Sequence, residues 1–296
     1  MNSTLLSILA TVFTLMALLM LIHRALLLGF RAPRVIEQGS PDDFDLVHSE
    51  IAIQTQRGKK LFAWWIPSTT PDSAMAPTII LLHGWGSNSE LMLPLATPFP
   101  QSGLNVLLLD ARDHGRSDSD NFSSLPRFAE DVAAGIEWIK SQPDIVSKRI
   151  VLLGHSVGAG AVLFEASKRD DIAAVISLAA FAHPEWMMRR YLNRFWFPTL
   201  FIPRILRYVE WMIGYRFEAI APMNTVCSIQ CPVLLVHGTA DTTVPISDAL
   251  AIRDNCSTNS LELLLIEGAD HESVDKIEEH AEQLVAFLVR VGVVTS

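Results

Sequence analysis

Beyond residue 49 the chain alternates short apolar runs with stretches of helical periodicity. Thr78 to Leu82, Asn105 to Leu109, Ile150 to Leu153, Ala173 to Leu178, Val233 to Val236 and Leu261 to Ile266 are continuous enough in Val, Ile and Leu to be strands buried on both faces. Between or after them, Phe128 to Lys140, Val157 to Arg169 and Asp275 to Val291 space their apolar residues as amphipathic helices do. Buried strands joined by crossover helices predict an α/β fold, a mainly parallel sheet with helices on both faces. Ahead of this pattern, Glu50 to Thr55 alternates apolar and polar, Arg57-Gly58 offers a turn, and Lys60 to Ile66 resumes, which predicts a β-hairpin.

Two segments depart from the alternation. Met1 to Ile22 contains no charged side chain, and as a helix it would rise about 33 Å, enough for a hydrocarbon core of roughly 30 Å. After His23 and Arg24 the apolar character returns from Ala25 to Phe30, so residues 1–30 are expected to form a single transmembrane anchor. A cleaved signal peptide is the rival, but no Lys or Arg precedes the run and no small-x-small cleavage site follows it. Arg24, Arg31 and Arg34 all lie on the C-terminal side, which by the positive-inside bias puts the following domain on the cytoplasmic face. Pro33 to Asp45, with Gly, Ser and Asp, reads as part of a linker over 31–49, leaving 50–296 as the globular domain. The second departure is the gap between Leu178 and Val233. It holds all three tyrosines (Tyr191, Tyr208, Tyr215), Trp186, Trp196 and Trp211, and many arginines, broken by Pro198 and Pro203. This reads as an inserted helical lid at about 181–224, whose apolar face either packs on the sheet domain or also meets the membrane interface.

Composition narrows the partners. With 23 Lys and Arg against 32 Asp and Glu, the net charge is −9, which argues against nucleic acid as a partner. The mean hydropathy of +0.30 is high for a freely soluble chain. Cys227, Cys231 and Cys256 are too few for a disulfide framework and read as plain core thiols. The C-x3-C spacing of the first two could begin a zinc site, but no second pair follows, and neither a metal nor a cofactor is expected.

The chemistry sits where strands end. Gly154-His155-Ser156-Val157-Gly158 follows one apolar run and opens a helical one. A sharp strand-to-helix turn crowds the main chain, so glycines two before and two after relieve it while the serine hydroxyl stays exposed. A serine hydroxyl needs a base, and the base an orienting carboxylate. The run Val233 to Val236 leads through His237-Gly238-Thr239-Ala240 to Asp241, and Leu261 to Ile266 leads to Asp270-His271. Ser156, Asp241 and His271 therefore stand in the chain order of a nucleophile-elbow triad, although Asp241 alone could cap a turn and His271 alone could be a surface residue. Donors for a developing oxyanion would be the backbone N–H of Val157 and, from the His83-Gly84-Trp85-Gly86 loop, that of Trp85. His83 reads as a loop-fixing residue rather than a base. Asp110 to Ser117 reads as the rim of the site.

Through H-G-W-G, D-x-R-x-H-G-x-S, G-H-S-x-G, D-T-T-V-P and D-H-E, the stretch from Glu50 to about Val291 resembles the α/β-hydrolase superfamily, in particular serine hydrolases of the monoacylglycerol lipase and serine aminopeptidase type. Asp113 stands where glycine is common in the second motif, which puts the shape of that loop in question. The resemblance implies cleavage of an ester, thioester or amide through an acyl-serine. The favoured expectation is a membrane-anchored carboxylester hydrolase acting on acyl lipids, its partners being the lipid substrate and the bilayer, with Trp186, Trp196 and Phe197 of the lid meeting the acyl chain. A peptidase or amidase would need a lid carboxylate for a substrate amine, and Glu185, Glu210 or Glu218 could serve. A thioesterase of the same fold and a non-catalytic anchored binding protein complete the alternatives.

Overall fold

The structure is a computed structural model that describes residues 3–29, 31–145, 147–194, 198–256, 260–271 and 280–294. It begins with helix α1 (Ser3–Gly29), which has no buried residue and a mean hydropathy of 2.7 over its most apolar window. At about 1.5 Å per residue it is long and apolar enough to cross a bilayer. Three of its hydroxyls are satisfied within the helix, with Ser7, Thr11 and Thr14 each donating to the carbonyl four residues earlier.

The remaining elements are β1 (Ser49–Gln54), β2 (Lys60–Ile66), β3 (Thr78–Leu82), the short helices α2 (Leu93–Ala96) and α3 (Pro98–Gln101), β4 (Asn105–Leu109), α4 (Leu125–Ser141), β5 (Ile150–His155), α5 (Val157–Ala166) and β6 (Ile172–Leu178). Then come the lid elements α6 (Pro184–Arg194), α7 (Ile202–Ile213), α8 (Phe217–Ile220) and α9 (Pro222–Thr225), followed by β7 (Val233–Gly238), α10 (Ile246–Asn255), β8 (Leu261–Ile266) and α11 (Ala281–Arg290). The eight strands form one sheet in the order β1-β2-β4-β3-β5-β6-β7-β8. The β1–β2 hairpin adds antiparallel to β4, and every other pairing is parallel. The hairpin turn uses Gly58 at φ 71°, a left-handed value that glycine accepts without steric cost.

The continuous apolar runs are explained by two cores. In β3, Ile80 and Leu82 point to one face, among Leu107, Leu109, Phe128, Val132 and Ile136. Ile79 and Leu81 point to the other, among Phe99, Val106, Leu108, Leu284 and Phe287. Period-two alternation thus feeds both faces, and the middle positions of β3 and β4 are apolar throughout because each belongs to one core or the other. Chain order reverses at β3, which has β4 on one side and β5 on the other. Such a switch point opens a crevice at the carboxyl ends of the strands.

The stretch expected to be a linker is instead strapped to the domain. Arg34 donates to the Gly115 and Ser117 carbonyls and to Ser119 Oγ, and the N–H groups of Gln38 and Gly39 donate to Glu90. Ser40 caps a 3-10 turn over Pro41–Phe44, and Leu46 is buried in the second core. Polar contacts to backbone carbonyls hold the strap, so its composition still looks like that of a loop. Cys256 is buried as expected of a core thiol, whereas Cys227 is exposed on the short turn after α9.

Candidate active site

Ser156 is the residue between β5 and α5, with φ 55° and ψ −115°. That backbone is strained for a side chain with a Cβ and persists because the turn is over-determined on both sides. A Cβ on Gly154 would sit 2.3 Å from the Gly158 carbonyl oxygen, and one on Gly158 would sit 2.4 Å from that of His83. Both glycines are therefore required by close main-chain approach, the first within the elbow and the second against the loop after β3.

His271 follows β8 and Asp241 follows β7, and the parallel register carries both to the same edge as Ser156. His271 Nε2 lies 3.0 Å from Ser156 Oγ, and His271 Nδ1 lies 2.7 Å from Asp241 Oδ2. The other carboxylate oxygen of Asp241 accepts from the N–H groups of Thr243 and Val244. Burial works to raise the Asp241 pKa, but the hydrogen bonds from His271 and Val244 prevail and hold the carboxyl below its ordinary range. An ionised Asp241 keeps the His271 proton on Nδ1, so Nε2 presents a lone pair to the serine hydroxyl. The arrangement can take a proton from Ser156 and return it to a leaving group.

Three further histidines hold this edge in shape. His83 is fully buried, donates from Nδ1 to the Gly84 carbonyl and accepts the Ala111 N–H at Nε2. Burial lowers its pKa, consistent with a neutral residue that joins the loops after β3 and β4. His155 donates from Nε2 to the His271 carbonyl, and burial together with the neighbouring His271 lowers its pKa to about 4. His237 donates to the Val244 carbonyl beside Asp241. The positioning roles of His155 and His237 have no sequence signature, because both donate to backbone carbonyls, that of His155 on a loop 116 residues away.

The rim loop explains the departure at Asp113. Its φ is 70°, a conformation that favours glycine and that Asp tolerates better than most residues. Its carboxylate accepts the Asp120 N–H, a local bond that supports the strained turn. Arg112 in the same loop is buried against Asp131 of α4, donating to it from Nε, from Nη2 and from its backbone N–H.

Two cavities meet at Ser156 and His271. The smaller, about 110 Å³, is lined by Gly84, Trp85, Ser87, Leu91, Met92 and His155 as well. Val157 is the first residue of α5, so its N–H has no acceptor within the helix. Trp85 borders both cavities. The larger, about 520 Å³ and mainly apolar, runs beneath the lid past Met187, Met188, Val209, Ile213 and Phe217 and reaches Gly29, Arg31 and Pro33 at the end of α1.

Pro184, Met187, Met188 and Tyr191 face the larger cavity, the i, i+3, i+4, i+7 stripe of α6. Trp186 lies off that stripe; it is exposed and packs against the His183 ring, so the expectation that it meets the acyl chain is corrected. Trp196 and Phe197 fall outside the described residues. The three lid carboxylates are also engaged elsewhere: Glu185 pairs with Arg189, Glu210 with Arg216, and Glu218 accepts from Asn224. None of them lines the larger cavity.

A largely parallel sheet with a Ser–His–Asp cluster beyond its strand ends and a lid between β6 and β7 defines the α/β hydrolases. A family model described as serine aminopeptidase, S33, matches residues 73–224, and the chain belongs to this family of hydrolases. The uncharacterized protein YfhR of Escherichia coli (strain K12) is 28% identical over 243 residues, covering 78% of this chain and 77% of its own. An esterase of Pyrococcus furiosus superposes with a TM-score of 0.70 at 25% identity, covering 88% of this chain and 97% of that one. The esterase domain of a Rhodothermus marinus protein superposes with a TM-score of 0.60 at 22% identity, covering 83% and 100%, a likeness of fold alone.

Proposed function

We propose that this protein is a membrane-anchored serine hydrolase that cleaves carboxylic ester bonds of acyl lipids through an acyl-serine intermediate. The observation that carries this reading is the 3.0 Å approach of His271 Nε2 to Ser156 Oγ at the junction of a small cavity and a 520 Å³ apolar one. A pocket of that size falls within the range of small-ligand sites, about 300–1,000 Å³. Its apolar wall suits an acyl chain, each buried methylene of which contributes about 0.8 kcal/mol.

In the proposed reaction Ser156 Oγ attacks the ester carbonyl carbon while His271 takes its proton. The carbonyl oxygen becomes an oxyanion, received by the N–H groups of Val157 and Trp85. Collapse expels the alcohol, which takes its proton from His271 and leaves the acyl group on Ser156. His271 then deprotonates a water that attacks the acyl carbon, and the acid departs as Ser156 regains its proton. The Pyrococcus furiosus esterase of the same fold supports the ester reading. An aminopeptidase would hold its substrate's amine with a carboxylate, and none lines the larger cavity among the described residues.

The membrane part of the proposal rests on the length and apolar character of α1 and on the contact it makes with the lid. His23 of α1 hydrogen-bonds the Tyr208 hydroxyl of α7, Trp211 packs beside Tyr208, and Trp211 and Leu200 are exposed apolar groups of the kind found at interfaces. The arginines after α1 favour a cytoplasmic domain. An impermeant thiol reagent applied to intact cells should leave the exposed Cys227 unlabelled.

The chemical part is tested with a panel of p-nitrophenyl esters, acyl thioesters and aminoacyl anilides on detergent-solubilised protein. Esters should turn over, and Ser156→Ala should abolish both turnover and labelling by a fluorophosphonate. Faster turnover of anilides, or undiminished labelling of Ser156→Ala, would overturn the assignment.

A further inference from the structure

The larger cavity has one wall that lies outside the matched family region. Gly29, Arg31 and Pro33 belong to the end of α1 and the strap, well before residue 73. Pro33 abuts the loop after β3, where a Cβ on Gly86 would sit 2.9 Å from its ring. The strap therefore forms part of the cavity rim as well as a tether.

This wall brings charge into an apolar space. Among the described lining residues there is no Asp or Glu, and the basic groups are Arg31 and His271, the latter already engaged with Ser156 and Asp241. Arg31 is exposed at the rim, and no carboxylate pairs with it among the described residues. Its neighbour Arg34, by contrast, has three acceptors on the domain.

A second, independent feature points the same way. Ser123 and Ser124 line the cavity, are 7% and 9% exposed, and among the described residues their buried hydroxyls have no hydrogen-bond partner. Ser124 is the N-cap of α4, with the extended backbone of a capping residue, yet its hydroxyl does not cap the helix. Buried hydroxyls are ordinarily satisfied, so two adjacent free ones in a cavity are available to donate to a bound acceptor. They stand at the positive end of a 17-residue helix. Guanidinium, hydroxyls and helix terminus all favour an acceptor-rich, negatively charged group, and a substrate ammonium would find no acceptor of opposite charge here.

We propose that the ester taken by this site carries an anionic group, received by Arg31 together with the hydroxyls of Ser123 and Ser124. The identity of the reacting bond rests on the ester-hydrolase reading, whereas the anion preference is a property of binding and is tested separately from it. The shared chemistry is a phosphate or carboxylate, which could belong to a lipid headgroup or to a soluble ester.

The test uses full-length Ser156→Ala protein in neutral detergent micelles, with tryptophan fluorescence as the binding signal, since Trp85 borders both cavities. Dissociation constants are measured for 1-oleoylglycerol 3-phosphate and 1-oleoylglycerol at matched mole fraction. The phosphate should bind about tenfold tighter or more, the scale of a charge-assisted hydrogen bond. Adding Arg31→Gln should bring the ratio close to one, and Ser123→Ala with Ser124→Ala should reduce it about threefold. Arg24→Gln makes the same charge change within α1 and should leave the ratio intact. An unchanged ratio in Arg31→Gln, or an equal loss in Arg24→Gln, would overturn the proposal, the latter by assigning the effect to general attraction at the micelle surface. A second arm compares 1-butyrylglycerol 3-phosphate with 1-butyrylglycerol. An Arg31-dependent preference in this soluble pair assigns the site to free phosphate esters as well, and one confined to the oleoyl pair assigns it to a lipid headgroup. If the unsubstituted protein cleaved neither ester while the Arg31-dependent ratio held, the ester-hydrolase reading would fail and the anion site would stand.

Discussion

Replacing Asp241 by Asn probes the candidate site with almost no change in shape. One carboxylate oxygen of Asp241 accepts the Thr243 and Val244 N–H groups at 2.9 and 2.7 Å, and the other faces His271 Nδ1 at 2.7 Å. Asn has one acceptor and one donor end, so one of these sides must lose. Turning the amide nitrogen toward Thr243 and Val244 would set donor against donor and leave the buried Val244 N–H unsatisfied, at about 1–3 kcal/mol, besides losing the more exposed Thr243 bond. Keeping the carbonyl there costs less, because His271 can answer the new donor by moving its proton to Nε2. That tautomer then points N–H at Ser156 Oγ, 3.0 Å away, and cannot accept the serine proton.

The expected loss is about four powers of ten in kcat, or roughly 5 kcal/mol of transition-state stabilisation. KM for a short p-nitrophenyl ester should change little, since no substrate contact is altered. The thermal midpoint should also stay close to that of the parent, because the Asn carbonyl retains the loop hydrogen bonds. Stopped-flow or steady-state turnover with p-nitrophenyl butyrate measures the effect, and calorimetry provides the control. A kcat within tenfold of the parent would refute the reasoning and would move the orienting role to another carboxylate, with Asp270 the first to examine.

Gly158→Ala should destabilise the domain by about 1–3 kcal/mol and lower turnover, because its Cβ would meet the His83 and Leu82 carbonyl oxygens at 2.4 and 2.6 Å and push the loop after β3 outward; denaturant titration and turnover on the same sample check both. The Glu37 carboxyl in the strap is raised to about 8 by burial and by the Asp110 carboxyl beside it. It binds its proton more tightly folded than unfolded, so the native state is favoured below its ordinary pKa of 4.5 and loses stability as pH rises toward 8, with no further change above. Glu37→Gln should therefore gain in thermal midpoint over the parent across that window and then hold a constant lead; a gap that is flat with pH would refute the pairing. Deletion of residues 1–28 should free the protein from membranes and preserve turnover of short esters, whereas deletion through residue 46 should lower the thermal midpoint as well, since it removes the Arg34 contacts and buried Leu46.

What the chain shows locally, its sequence determines well. Each central strand is a run of apolar residues because both of its faces are buried, so β3 and β4 are legible as strands to the residue. The elbow is legible because Gly154, Ser156 and Gly158 lie within one turn. The membrane-length helix is legible from composition alone. The order Ser156, Asp241, His271 is likewise visible, but their meeting is not: His271 reaches across 115 residues to Ser156 and 30 to Asp241 through a sheet order that no local pattern encodes.

Other features depend wholly on packing. Trp186 and Met187 are adjacent in sequence, and only the phase at which α6 lies on the sheet domain turns one outward and the other into the cavity. The residues 31–49 look like a linker because their hydrogen bonds go mostly to backbone and to single polar side chains. His155 supports a carbonyl 116 residues away. Periodicity records which face of an element is buried; what that face meets is set by contacts between distant segments, whose closure entropy only the folded chain overcomes.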